Sequence, residues 1–367
     1  MNKVRENIWT IFFLLLLIIL TFIIIFIMVT NRPEKETEIR IGGVFIDSID
    51  DDGWSEIHYE GLSAACEKLG LPLDIVEYVD ENAQSTAPAV EELVKKGCNV
   101  IFLTSGGFGN NCQEILESYP DVIFYTVSEE CDAFNTSTYF GRIYEMRYLS
   151  GIIAGSMTKS NTLGYVGGTN CPQVDRGVNA YYLGAKSVNP DVKLKVRFIG
   201  SWSDEEAERK AAEKLINEDG ADVLTFHASH PVTIDVAEER GVYSIGYNSV
   251  KKEHSDKFLT AVVFEWEPLY EGILADYFKG NIGSKNAYWL GAQYGVVSLS
   301  QYSKEVPEYL IPIIDENMEK FRNGWDCFMG NIYRNDGTKM CDEKERISDD
   351  ALLFRMDWFV EGVEVYE

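Results

Sequence analysis

IRIGGVFIDSIDDDGWSEIHYEGLSAACEKLGLPLDIVEY, residues Ile39 to Tyr78, is the stretch that decides the fold class. A β-branched run (Ile39–Ile46) passes through an aspartate-rich loop into a stretch with helical spacing of apolar residues (Ser55–Leu69). A second β-branched run (Leu73–Tyr78) follows. The pattern continues with strand-like runs at Val100–Thr104 and Val122–Val127 and helical stretches at Thr86–Lys96 and Asn110–Tyr119. Strands alternating with helices of this length predict an α/β fold, a parallel sheet covered on both faces.

The rhythm then repeats. Thr162–Val166, Lys193–Ile199, Asp222–Phe226 and Val242–Tyr247 read as strands, and Val174–Val188, Asp204–Asn217 and Pro231–Arg240 as helices. Gly97, Gly220 and Gly241 each stand just past a helix, where a left-handed cap is expected. Two similar halves predict two doubly wound, Rossmann-like lobes. The segment joining them, Tyr144 to Met157, carries Ser150, Gly151, Ala154, Gly155 and Ser156, which close packing between lobes would explain. A further strand (Leu259–Phe264) and helices at Pro268–Lys279 and Pro307–Asn323 follow. Asn335-Asp336-Gly337 is a hairpin-turn signal, and Ser348 reads as an N-cap.

The chain has 33 basic and 59 acidic side chains, a formal charge of -26. A polyanion repels phosphate backbones, so nucleic acid is not expected as a partner. Ile8 to Thr30 forms a run of 23 residues without a charge, about 34 Å as a helix at ~1.5 Å per residue, enough to cross a bilayer core of ~30 Å. It reads as an uncleaved anchor or a long cleaved signal peptide. Lys3 and Arg5 before it place the N-terminus in the cytoplasm and the folded part outside the cell membrane. Seven cysteines show no C-x-x-C spacing; Cys327 with Cys341 is the best candidate for a disulfide, and Cys112 with Cys131 a weaker one, the alternative being buried small hydrophobes.

Ligands of open α/β sheets sit outside the carboxyl ends of the strands, which selects the residues to inspect. After the first strand, Asp51, Asp52 and Trp54 could grip a hydroxylated ring, or the aspartates could cap the following helix. Thr104-Ser105-Gly106-Gly107-Phe108-Gly109 lets backbone approach a ligand, with Phe108 offering a second ring face. The second half offers Trp202, His227 with His230, Asn248 with Ser249, and Trp266. There is no phosphate loop, no dinucleotide fingerprint, no G-x-S-x-G and no third ligand beside the two histidines, so neither cofactor, metal nor enzymatic activity is expected. Rings plus neutral or acidic groups suit a purine-like or sugar-like ligand.

Several blocks carry a specific resemblance. They are Asp51-Asp52-Gly53-Trp54 with His58 and Gly61, Tyr139-Phe140-Gly141-Arg142-Ile143-Tyr144 continuing to Arg147-Tyr148-Leu149, and Arg176-Gly177-Val178-Asn179-Ala180. Gly220-Ala221-Asp222-Val223, Ala237 to Tyr243, Gly246-Tyr247 and Met356 to Gly362 add to them. In these the chain resembles the basic membrane protein family of ABC-transporter substrate-binding proteins. The resemblance implies a periplasmic-binding-protein type I fold, a purine nucleoside or nucleobase as ligand, and an ABC permease as partner. It further implies that Trp54 stacks on the base, that Tyr144, Trp202 and Trp266 line the cleft, and that Asp51, His227 and Asn248 give polar contacts. Gly106, Ser229 and Val250 depart from the family's pattern. A tethered sensor with the same binding fold is the alternative. The expected division is 1–36 as cytoplasmic stub, anchor and tether, 37–143 as the first lobe with about 266–285 returning to it, and 144–265 as the second with about 286–367.

Overall fold

The computed structural model describes residues 17–23, 39–51, 53–127, 131–248, 254–280 and 287–366. Residues up to Ile39 form one compact unit and Arg40–Glu367 another. Of the apolar run Ile8–Thr30, residues 17–23 are helical and exposed, and the rest lies outside the described residues. Among the described residues no helix is long and apolar enough to cross a membrane.

Among its described residues the second unit holds two large sheets and a two-stranded one. The first is built from β1 (Ile41–Val44), β2 (Leu73–Val76), β3 (Val100–Leu103), β4 (Ile123–Val127) and β5 (Thr136–Gly141). The second takes β6 (Thr162–Gly167), β7 (Lys193–Phe198), β8 (Val223–His227), β9 (Tyr243–Asn248) and β10 (Phe258–Phe264). β11 (Ala287–Leu290) returns to the first sheet beside β5, and β12 (Val297–Leu299) to the second beside β10. β13 (Ile332–Tyr333) and β14 (Lys339–Cys341) form the hairpin read around Asn335-Asp336-Gly337, and β15 (Val363–Tyr366) closes the far edge of the second sheet against β7. The orders are β11-β5-β4-β3-β1-β2 and β12-β10-β9-β8-β6-β7-β15. All pairs are parallel except β10 with β12 and the hairpin. β1 and β3 are buried along their whole length, as a strand covered on both faces must be.

In each sheet the first strand lies between the second and the third, so the chain reverses direction across the sheet at β1/β3 and again at β6/β8. Two switch points of this kind each open a crevice at the strands' carboxyl ends. The return to the first sheet runs through β11 to Leu290, later than the expected limit near 285, because β11 completes that sheet's edge.

The caps at Gly97, Gly220 and Gly241 have φ of 91, 74 and 66°, and Ser348 accepts from the Ala351 amide at 3.2 Å. The small residues of Tyr144–Met157 correct the expectation. This segment is a helix, and its glycines face the Pro172–Val188 helix of the same half, not the other lobe. None of the seven cysteines, all among the described residues, forms a disulfide. Cys327 and Cys341 are both buried without a bridge, as are Cys112 and Cys131. Burial pushes the Cys66 thiol up to about 12, the behaviour of an inert core residue.

Candidate functional site

A cavity of about 540 Å³ lies where the two switch points meet. Its lining follows the strand ends: Ile46 past β1, Ser105 to Gly107 past β3, His227 to Ser229 at β8, and Tyr247 with Asn248 at β9. Trp54, Glu81, Gln173, Trp202 and Phe354 complete the wall from loops and helix ends.

Of nine candidates from the sequence, Trp54, Ser105, Trp202, His227 and Asn248 line this cavity. Trp54 opens the first helix, half-buried, with its indole N–H donating to the Thr104 carbonyl at 2.6 Å. Its ring meets His58 edge-on at 4.5 Å and Trp266 at 5.7 Å. Trp202 is 40% exposed, and Gly168 makes room for it, since a Cβ there would fall 2.9 Å from the indole.

His227 is buried, and burial, with the Arg147 and Arg176 charges, holds its pKa well below 6.5, so the ring is neutral. Nδ1 lies 3.5 Å from the Tyr165 hydroxyl, while Nε2 has no partner. Asn248 has a φ of 76° and a buried side-chain oxygen without a partner. A left-handed non-glycine residue costs roughly 1–3 kcal/mol and is found where surrounding structure enforces it, often at binding sites. Two orphaned polar atoms beside a cavity are groups a ligand can satisfy.

Four candidates are placed elsewhere. The Asp51 carboxylate is taken up by the first helix, accepting from the amides of Gly53, Ser55 and Glu56 at 2.8, 3.1 and 3.1 Å. Phe108 is fully buried among Val44, Leu103, Leu116 and Phe124, because the loop after β3 winds into the short Gly106–Asn111 helix and turns the ring inward. Tyr144 is also fully buried; its hydroxyl donates to Asp326 at 2.8 Å and accepts from Arg142 at 3.2 Å. Trp266 stands one layer behind the cavity, stacked on Phe264 at 4.7 Å and on His58 at 4.0 Å. It supports Trp54 from behind. His230 parts from His227 and lies 3.8 Å from Glu205, outside the lining. Asp52, Ser249 and Val250 lie outside the described residues, whereas Gly106 and Ser229, the other two departures from the family pattern, both face the cavity.

The sequence reading missed Glu81, Gln173, Tyr247 and Phe354. Glu81 accepts from the Gly107 amide at 2.6 Å and is the one charged side chain among the described lining residues. It lies five residues past β2, and a lone glutamate before a helix reads as solvated surface. Tyr247 belongs to a strand and reads as core; the Arg147 guanidinium over its ring at 4.8 Å holds it in place.

The comparisons agree with this geometry. Residues 39–323 match the family described as ABC transporter substrate-binding protein, PnrA-like. A purine-binding protein of Brucella abortus is 32% identical over 341 residues, 92% of this chain and 96% of that one. A putative ABC transporter glucose-binding protein of Haloferax volcanii is 32% identical over 335 residues, 90% and 82% of the two chains. A solved transcriptional activator of the comK gene from Bacillus halodurans superposes with a TM-score of 0.69 at 25% identity, covering 78% of this chain and 98% of that one. Paired parallel sheets, a cavity at their facing strand ends and a family match over most of the length lead to one conclusion: this chain belongs to the PnrA-like family of ABC-transporter substrate-binding proteins.

Proposed function

We propose that the cavity captures a purine nucleoside or nucleobase outside the cell and that the chain presents it to an ABC permease. In this reading Ile8–Thr30 tethers the chain to the membrane. The observation that carries the reading is the pairing of Trp54, Trp202 and Tyr247 with the orphaned His227 Nε2 and Asn248 Oδ1 around one cavity. Flat rings offer stacking faces to a base, and the orphaned atoms offer hydrogen bonds to its edge or to a ribose. The purine-binding relative from Brucella abortus supports the same ligand class. Trp54, Ser105, Trp202, His227 and Asn248 carry the contacts. A second reading, a sensor that passes its ligand-bound state to a partner, is favoured by the likeness to the Bacillus halodurans transcriptional activator; it shares the site and differs in the partner.

Glu81, with no lysine or arginine among the described lining residues, makes the cavity hostile to phosphate. The test is a thermal-shift panel of adenine, adenosine, adenosine monophosphate and glucose. A ligand at 100 times its Kd adds about 2.7 kcal/mol of stability, a readable shift. Adenosine or adenine should raise the melting temperature, with the monophosphate at least about tenfold weaker. A response to glucose alone, or a preference for the monophosphate, would sink the purine nucleoside reading.

A further inference from the structure

The family match ends at residue 323, but the cavity wall does not. Phe354, the last residue of a short helix (Asp349–Phe354), lines the cavity and is 39% exposed. Among the described residues no aromatic ring packs against it. An isolated exposed phenylalanine is ordinary on a protein surface. This one sits on a segment held from every side.

Ser348 caps the helix, and the Asp349 carboxylate receives Arg142 at 2.5 and 3.1 Å and Arg346 at 2.8 Å. Leu352 and Leu353 are buried, and the Leu352 carbonyl accepts from Arg176 at 3.3 Å. Past the helix, Asn179 donates to the Trp358 carbonyl and accepts from the Val360 amide, both at 2.9 Å. β15 then joins the second sheet. The anchors come from both ends of the crossover: Arg142 directly follows β5 of the first sheet, while Arg176 and Asn179 belong to a helix of the second half. A side chain so mounted cannot easily retreat, which is what a contact surface of fixed shape requires.

We propose that Phe354 is a specificity-determining residue, an aromatic wall that the C-terminal segment adds to the ligand cavity. The inference rests on the cavity being the ligand site, not on the ligand being a purine. The apolar ring shares the lining with Glu81, Gln173 and Ser229, so it favours the flat or apolar face of a ligand whose edges are polar.

The full chain is titrated calorimetrically with adenosine and with glucose, as wild type and as Phe354→Ala, Phe354→Leu and Phe354→Trp. Phe354→Ala should weaken binding by about tenfold, the effect of losing one stacking ring, while Phe354→Trp retains affinity and Phe354→Leu falls between. The ligand-free melting temperature should stay unchanged, because the ring is exposed. Asp349→Ala, which loosens the mount without touching the cavity, should weaken binding too. An unchanged Kd in Phe354→Ala, or full affinity in Phe354→Leu, would overturn the proposal. Wild-type binding of glucose and not adenosine would defeat the purine reading alone, and the Phe354 series is then judged on glucose. Should neither bind, the compound released from the purified protein by denaturation is the probe.

Discussion

Asp175 lies fully buried near the start of the Pro172–Val188 helix, and neither carboxylate oxygen has a hydrogen-bond partner. Burial pushes its pKa up to about 8, the nearby Asp357 charge adds to the rise, and Arg176 opposes it. A folded pKa above the unfolded value means the native state holds the proton more tightly. The resulting stability is fully present below about pH 4 and is lost as pH climbs through about 8. His58 and His227 act in the other direction. Burial keeps both neutral in the fold, so their contribution is lost as pH falls below about 6.5. Asp175→Asn leaves the histidines untouched and isolates the carboxyl. The variant should gain on wild type between about pH 4 and pH 8 and level off above that, read as the difference in urea midpoint; a difference that does not change with pH would contradict the assignment. Trp54 and Trp202, singled out in the sequence because a large ring is costly to explain on a loop, both line the cavity. Phe108 looked the same on paper, but one helical turn rotates its ring into the core. For Asp51 the sequence left capping and ligand contact both open, because the two demand the same carboxylate at the same place; the structure turns it to the helix amides.

Between elements, the tightest packing joins the Tyr144–Met157 and Pro172–Val188 helices. A Cβ at Gly151 would lie 2.0 Å from the Tyr181 carbonyl oxygen, and one at Gly184 would lie 1.9 Å from that of Tyr148. Backbone faces backbone, so neither helix can yield by turning a side chain. Gly184→Ala should destabilise the fold by at least about 1–3 kcal/mol, the usual cost of overpacking, seen as a lower urea midpoint. A midpoint equal to wild type would show that the helices can part. Strands β1 to β4 and β6 to β10 were legible because their β-branched runs are bounded by helical periodicity. β5 was not, since Thr136–Gly141 mixes hydroxyls, aromatics and glycine, and its burial comes from neighbours on both sides. β11, β12 and β15 are short edge strands whose pairing partners lie more than 30 residues away along the chain, a signal no local pattern contains.

At the scale of the whole molecule, three connections join the halves, and they are laced together. The Arg142 amide donates to the Leu290 carbonyl at 2.7 Å, Glu145 accepts from the Ala292 amide at 2.7 Å, and the Glu265 amide donates to the Val296 carbonyl at 2.8 Å. Burial pushes Glu145 up to about 7, so this link titrates near neutrality. Short crossovers bound in this way suit hinge motion of the halves, and in the proposed reading a ligand gripped by both would favour a closed form by its differential contacts. The central claim is therefore that a purine binds between Trp54 of the first half and Trp202 with His227 of the second. Calorimetric titration of the full chain with adenosine, beside Trp54→Ala, tests it most directly. The account requires saturable one-to-one binding by wild type and a loss of about tenfold or more in the variant, since a stacked base is worth roughly 1–3 kcal/mol. No heat of binding in wild type, or equal affinity in both proteins, would contradict it.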